Sequence, residues 1–418
     1  MRRSSLPLTC VAATLLVGTA ASAAVHAPAS SCAKGSVPAK IAGKQVCLKA
    51  GLTCTRSDDS RYRGYGFACS TGTLTQLWQL TDLGTLGGSE SQAKLINDRG
   101  QIVGQSDTPT GLGWFLWERG KMTNLGSLGG GQVRAMNVRG QIVGWKDNGA
   151  GGRAFLWQNG KMTDLGTLGG TDAQASAIND SGQVVGYSST ADGATHAFLW
   201  RNGKMTDLGT LVGGAGSGAM AINNHGQIVG WADTATGDTH AFLWQNGKMT
   251  DLGKPAGMIE SGATMIGDGG EIVGHATHDD GNNEVSTRPV VWWSGKMTVL
   301  PRGEHTYPQA INAGGKVVGY MFTARGRWHA FVWQKGKLTD LGTFGASQSW
   351  AYAVNDHGQV AGYVGWPDRD VAFAWKKGGV TLLSDGEAAA INEHGQVVGY
   401  VDTATGEHAA LWTLKPRS

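Results

Sequence analysis

The chain has 418 residues, 67 of them glycine and 16 tryptophan, with 40 % hydrophobic and 16 % charged residues. Average chains hold about 7 % glycine and about 25 % charged residues, so this one is rich in turns and poor in charge. Disorder would need few apolar residues and a high net charge, and a formal charge of +3 offers no field for a phosphate backbone, which excludes both a disordered chain and a nucleic-acid binder.

Residues 1–23 read as a secretory signal peptide: Arg2 and Arg3, an apolar run from Leu6 to Ala20, then the small-residue site Ala21-Ser22-Ala23. The run is short of the ~20 residues a bilayer needs, and no later segment reaches that length. An extracellular protein without a transmembrane segment is the expectation. Cys10 leaves with the leader.

Residues 24–75 form a small, basic, Cys-containing module. Its cysteines, Cys32, Cys47, Cys54 and Cys69, are even in number in an exported chain and read as two disulfides, with three connectivities open. A zinc site is the rival, but no CxxC pair or histidine partner accompanies the spacing. Arg61-Tyr62-Arg63-Gly64-Tyr65-Gly66-Phe67 interleaves cation and aromatic as a sugar- or polyanion-binding strip would. An exposed hairpin kept soluble by arginine accounts for it more simply.

Residues 76–418 are a repeat. The phrase Ile-Asn-Asp-x-Gly-Gln-(Ile/Val)-Val-Gly recurs eight times, its Asn position falling at Asn97, Asn137, Asn179, Asn223, Gly267, Asn312, Asn355 and Asn392, 37 to 45 residues apart. A second phrase follows in each unit, most fully at His196 to Gly209 and His240 to Gly253. Apolar β-formers flank each Asn-x-x-Gly turn, and Asn159-Gly160, Asn202-Gly203 and Asn246-Gly247 are strong hairpin signals. Four strands at this period match a β-propeller blade.

The last unit stops at Leu414 without its fourth strand, while an unassigned copy of that strand, Leu80-Thr81-Asp82-Leu83-Gly84, precedes the first unit. The prediction is an all-β fold: an eight-bladed propeller of four-stranded blades, closed by pairing the N- and C-terminal strands, which removes the two open edges of the split unit. An open solenoid would more naturally end in polar caps than in a split unit.

His196-Ala197-Phe198, His240-Ala241-Phe242 and His329-Ala330-Phe331, together with the Asn-x-x-Gly-Gln phrases, resemble the bacterial extracellular HAF repeats. The resemblance covers about residues 76–418 and implies secretion and a repeat fold; it brings no catalytic residues with it. The triplet departs to Gly113-Trp114-Phe115, Arg153-Ala154-Phe155, Val371-Ala372-Phe373 and His408-Ala409-Ala410, and most strongly to Arg288-Pro289-Val290 in the fifth unit.

No HExxH, GxSxG, CxxC or Walker-type loop occurs. The repeated Asp164, Asp207, Asp251 and Asp340, and His196, His240, His329 and His408, read as residues that serve the blade, and the repeated tryptophans such as Trp117 and Trp412 as packing between blades. Function is sought where units differ. Tyr307, Trp328, Trp350, Tyr352 and Trp366 break the pattern in blades six and seven and are the candidate ligand-binding residues, expected near the rim; filling gaps between blades is the competing role. The position after Val-Gly is aromatic in most units, for example Trp145, Tyr187 and Tyr400, and reads first as packing.

In the fifth blade His275, His278, Asp279, Asp280 and Glu284 form an oxygen-rich loop that suits Ca²⁺ or, through its histidines, a transition metal. It lacks the EF-hand spacing, so a solvated loop is preferred and no other cofactor is expected. The function expected is a secreted, monomeric, non-enzymatic binding module for extracellular or cell-wall polysaccharide or for a protein. The alternatives are a carbohydrate-active enzyme that gathers acids such as Glu260, Glu284, Glu304 and Asp370 from several blades, and a purely structural surface protein.

Overall fold

In seven of the eight units a single asparagine turns the chain and ties that unit to the next. In the computed structural model, which describes residues 36–41, 44–63, 67–149, 151–279, 285–300, 305–377 and 379–414, Asn97 shows the pattern. Its side-chain oxygen accepts from the backbone N–H of Arg99 at 3.1 Å and of Gln101 at 3.0 Å, and Gly100 takes the positive φ, 73°, that completes the turn. Its amide nitrogen donates to Gln101 Oε1 at 2.8 Å and to the carbonyl of Asn137, one unit on, at 3.1 Å. The same inter-unit bond runs from Asn137 to Asn179, Asn179 to Asn223, Asn223 to Gly267, Asn312 to Asn355, Asn355 to Asn392 and Asn392 back to Asn97, at 2.9 to 3.1 Å. At Gly267, which has no side chain to give, the backbone N–H of Gly269 donates to Ala313 O at 3.0 Å instead.

Eight antiparallel four-stranded sheets radiate from this ring. The first runs outward from the channel as Ser91–Ile96, Ile102–Thr108, Gly111–Glu118 and Lys121–Gly126. The outermost hairpins turn at pairs such as Asn159-Gly160, both with positive φ (50° and 81°), the backbone that matches strand twist. The glycine after Val-Val is obligatory for another reason. A Cβ on Gly104 would lie 2.1 Å from Gln92 O and 2.6 Å from the Phe115 ring, so only glycine lets the inner strand and the core phenylalanine approach.

The eighth sheet is the predicted composite. Trp78–Asp82 pairs with Glu407–Leu414, setting Leu80 opposite Trp412, and His408 Nδ1 meets Asp82 Oδ2 at 2.9 Å across the junction. The core is divided among eight apolar clusters at the seams between blades; one joins Val143, Ala154 and Leu156 of the second blade to Ala173, Val184 and Phe198 of the third. The repeated tryptophans belong to these seams, with Trp292, Trp333 and Trp412 buried and Trp117, Trp157, Trp200, Trp244 and Trp375 partly so.

In the N-terminal segment two hairpins, Val37–Ile41 with Lys44–Leu48 and Phe67–Ser70 with Thr73–Gln76, flank a single helical turn, Asp59–Arg63. Cys54 and Cys69 form a disulfide and Cys47 is also disulfide-bonded, which leaves none of them as a zinc thiolate. The exposed hairpin preferred for the cation–aromatic stretch is not what forms among its described residues: Arg61 to Arg63 lie in the helical turn, Tyr62 and Phe67 are buried in the cluster that also holds Val332 and Phe373 of blades six and seven, and Arg61 and Arg63 pair with Asp58 and Asp59. The signal peptide and Cys32 lie outside the described residues. Among those described, no helix is long and apolar enough to cross a membrane.

Asn179→Ala removes one bond to the next blade and the internal bonds of its own turn, leaving buried backbone groups unpaired. A loss of about 1–3 kcal/mol is expected from the midpoint of urea unfolding.

Candidate functional site

In all eight units the inner strand slips by one residue against the second strand at the same place. The bulged residue stands three before the Asn position: Lys94, Arg134, Ser176, Met220, Thr264, Gln309, Tyr352 and Ala389. A bulge re-aims a side chain. Five of these residues, Arg134, Ser176, Met220, Thr264 and Gln309, line one cavity in the channel.

Two residues earlier stand Gln92, Gln132, Gln174, Gly218, Gly262, Tyr307, Trp350 and Glu387, each paired across the ladder with the residue after Val-Gly. The channel wall is therefore two stacked rings, with the second-strand residues backing the upper one. Tyr187 OH donates to Gln174 Oε1 at 2.8 Å; Trp231 and His275 lean over Gly218 and Gly262, where a Cβ would meet them at 2.7 and 3.1 Å. The aromatic position after Val-Gly is thus packing for the ring in front of it.

On blades six and seven this wall is aromatic. Tyr307 stacks on Tyr320 (5.3 Å between ring centres), Trp328 packs against both (5.7 and 5.5 Å), Tyr320 lies 6.2 Å from Tyr352, and Trp350 stacks on Tyr363 at 4.6 Å. Four of the five predicted aromatics come together here with Tyr320 and Tyr363. Tyr307, Trp350 and Tyr352 sit on inner strands, so the arc faces the channel and not the rim. Trp366 is elsewhere, packed against the seam cluster shared with the N-terminal segment.

The arc continues into an acidic group on blades seven and eight, beside Gln92 and Lys94 of blade one. Burial holds the Glu387 carboxyl up at about 7 against a bond from Tyr400, with the nearby charges of Asp370 and Glu407 adding to the rise. Burial likewise raises Asp370, with help from Asp402, and pushes Tyr352 up to about 12. Tyr363 and Tyr400 are raised by burial and then by Glu387. Gln92 Nε2 donates to Glu407 Oε2 at 2.5 Å, and Lys94 Nζ to Gln92 Oε1 at 2.6 Å; burial lowers the Lys94 pKa. A buried carboxyl raised in this way beside aromatic rings makes the group a candidate binding or catalytic locus.

Of the acids considered from sequence, Asp370 belongs to this group. Glu260 opens the inner strand of blade five, Glu260–Ile266, and Glu284 and Glu304 lie outside the described residues. Glu387 and Glu407 escaped the sequence reading. Aligning the eight units on their Asn and asking which inner-strand positions vary would have exposed Glu387; Glu407 gives no such signal.

His275 and His278, three apart on the strand Ile272–Asp279, point to opposite faces. Burial against Gly262 lowers the His275 pKa, and His278 Nδ1 lies 3.0 Å from Gly257 O. Asp279 ends the same strand, and Asp280 and Glu284 are outside the described residues. Among those described, no group of three or more His, Cys, Asp or Glu is placed to hold a metal ion.

The repeated His and Asp residues serve the blades. His196–Asp207, His240–Asp251 and His329–Asp340 join third strand to fourth at 2.8 to 2.9 Å, and each aspartate also accepts the N–H of the glycine two residues on. At the opposite mouth Asp98, Asp180, Asp268, Asp356 and Glu393 accept backbone N–H groups from the neighbouring turn.

The chain is an eight-bladed β-propeller with a chemically lopsided channel. No family model and no curated protein matches it. Solved structures similar to it include the β-propeller domain of the Trilobed protease from Pyrococcus furiosus (11 % identity, 79 % of this chain and 96 % of that one, TM-score 0.45), the Aleuria aurantia lectin AAL (14 %, 62 % and 96 %, 0.33) and a gluconolactonase from Xanthomonas campestris (10 %, 91 % and 97 %, 0.33). At these values the likeness carries no functional argument.

The native Glu387 keeps a proton that the unfolded chain releases near its ordinary value of 4.5. Its contribution to stability is therefore full at low pH and is lost as pH rises towards about 7. Glu387→Gln, which stays neutral, should gain melting temperature relative to the wild type across roughly pH 5 to 8. A constant difference over that range would show that Glu387 is an ordinary solvated carboxylate.

Proposed function

We propose that the protein is an exported glycan-binding propeller whose sugar lies in the channel mouth against Tyr307, Trp350 and Tyr352. The aromatic arc is the observation that carries this reading. Sugar rings have apolar C–H faces that stack on aromatic rings and hydroxyls that need acceptors and donors at their edge. Both are present on rigid strands: the ring faces on blades six and seven, and Glu387, Gln92 and Gln309 beside them. The leader read at residues 1–23 and the disulfide-bonded N-terminal segment support export.

Glu387 favours a second reading. A carboxyl held near neutrality beside other carboxylates is the setting of a general acid in glycoside hydrolysis, so a carbohydrate-active enzyme competes with the plain binding module. Retention on insoluble cell-wall and plant polysaccharides, scored for both bound protein and released sugar, separates the two. Trp350→Ala and Tyr307→Ala should each weaken retention about tenfold, from the loss of one stacking face, while Val212→Ala, exposed and away from the arc, should leave it intact. Released oligosaccharide would overturn the non-enzymatic reading.

A further inference from the structure

The deeper ring of the channel carries two cations, Lys94 and Arg134, and no acid. Lys94 is engaged: it donates to Gln92 and lies near Glu387 and Glu407. Arg134 has neither an ion pair nor a hydrogen bond among the described residues. It lines a cavity of about 560 Å³ together with Gln174, Ser176, Thr264 and Gln309, over Met220 and Met265. The upper ring is glycine at 218 and 262, where the Trp231 and His275 rings cover the wall in place of a side chain. Tyr187 OH occupies Gln174 Oε1, which leaves the Gln174 amide nitrogen to donate inward. A second pocket shares Thr264, Met265, Pro308 and Gln309 with the cavity and extends to Tyr307, the open end of the aromatic arc.

A guanidinium offers five N–H donors and no acceptor, and it matches a carboxylate with two parallel bonds. Arg134 presents that fork in a cavity whose other polar groups include hydroxyl and amide donors. Asp370 and Glu407 stand on blades seven and eight, so the acidic side of the channel lies away from Arg134. We propose that Arg134 binds the carboxylate of an acidic sugar, so that the ligand is a uronate-containing glycan with its ring towards Tyr307. This rests on the glycan reading above and narrows it, since a neutral sugar would leave the one unpaired cation of the cavity unused.

The test is calorimetric titration of the intact protein with trigalacturonate, with its methyl ester and with a sulfated galactose trimer. The acid should bind about tenfold or more tightly than the ester, the gain of a charge-assisted bidentate pair. Arg134→Gln should close that gap, Arg134→Lys should keep part of it, and Trp350→Ala should weaken acid and ester alike. Circular dichroism and the unfolding midpoint establish that each variant is folded. Equal binding of acid and ester, an undiminished gap in Arg134→Gln, or tighter binding of the sulfated trimer would overturn the carboxylate assignment while leaving the glycan reading intact. Binding of none of the three by the folded wild type would overturn the carboxylate assignment, and polysaccharide retention would then decide whether the broader glycan reading survives.

Discussion

A buried asparagine amide in seven of the eight blades holds the ring together. The asparagine of each turn satisfies its own backbone and, with its remaining N–H, the carbonyl of the next turn, so the order of one blade is a condition for the order of its neighbour. Left unpaired, such a group would cost on the order of 1–3 kcal/mol. The apolar side chains obey the same constraint, because each cluster belongs to a seam and no blade buries its faces alone. Closure is therefore a requirement of the whole, and pairing Trp78–Asp82 with Glu407–Leu414 meets it by joining the first strand of the repeat to the last.

With the scaffold held by Asn, Gly, Phe and Trp at fixed places, the residues in front of each turn are released from packing duty. The bulge at the third residue before the Asn turns that freedom into a row of eight channel-facing positions, and the pair two residues earlier adds a second row. The same backbone thus presents tyrosine and tryptophan on one arc, lysine and arginine on another, and glycine where a second-strand ring covers the wall. Binding chemistry is concentrated where repetition stops.

The fifth blade shows the limits of that scaffold. Gly267 and Glu271 replace the usual Asn and Gln, and Glu271 is 8 % exposed with Oε2 buried and unbonded. Its neighbours adapt through the backbone bond from Gly269 to Ala313. Blade five is also where the HAF-like triplet is replaced by Arg288-Pro289-Val290, so the departures in sequence and in turn geometry coincide.

Blade number, strand number, ring closure and the structural service of the repeated His, Asp and Trp were all legible in the amino-acid sequence, because repetition converts a tertiary arrangement into a local pattern visible eight times over. The binding candidates were legible only in part: Tyr307, Trp328, Trp350 and Tyr352 stood out as departures, yet the place of Tyr307, Trp350 and Tyr352 on the channel wall depended on inner strands whose register slip carries no residue signature. Trp366 broke the pattern equally well and went to a seam instead. The raised carboxyl of Glu387 and the burial of Tyr62 and Phe67 belong to the tertiary structure alone, since their surroundings are set by side chains remote in sequence, Asp370 and Lys94 near Glu387 and Phe373 in the N-terminal cluster. Sequence determines what repeats; the folded ring decides what each exception faces.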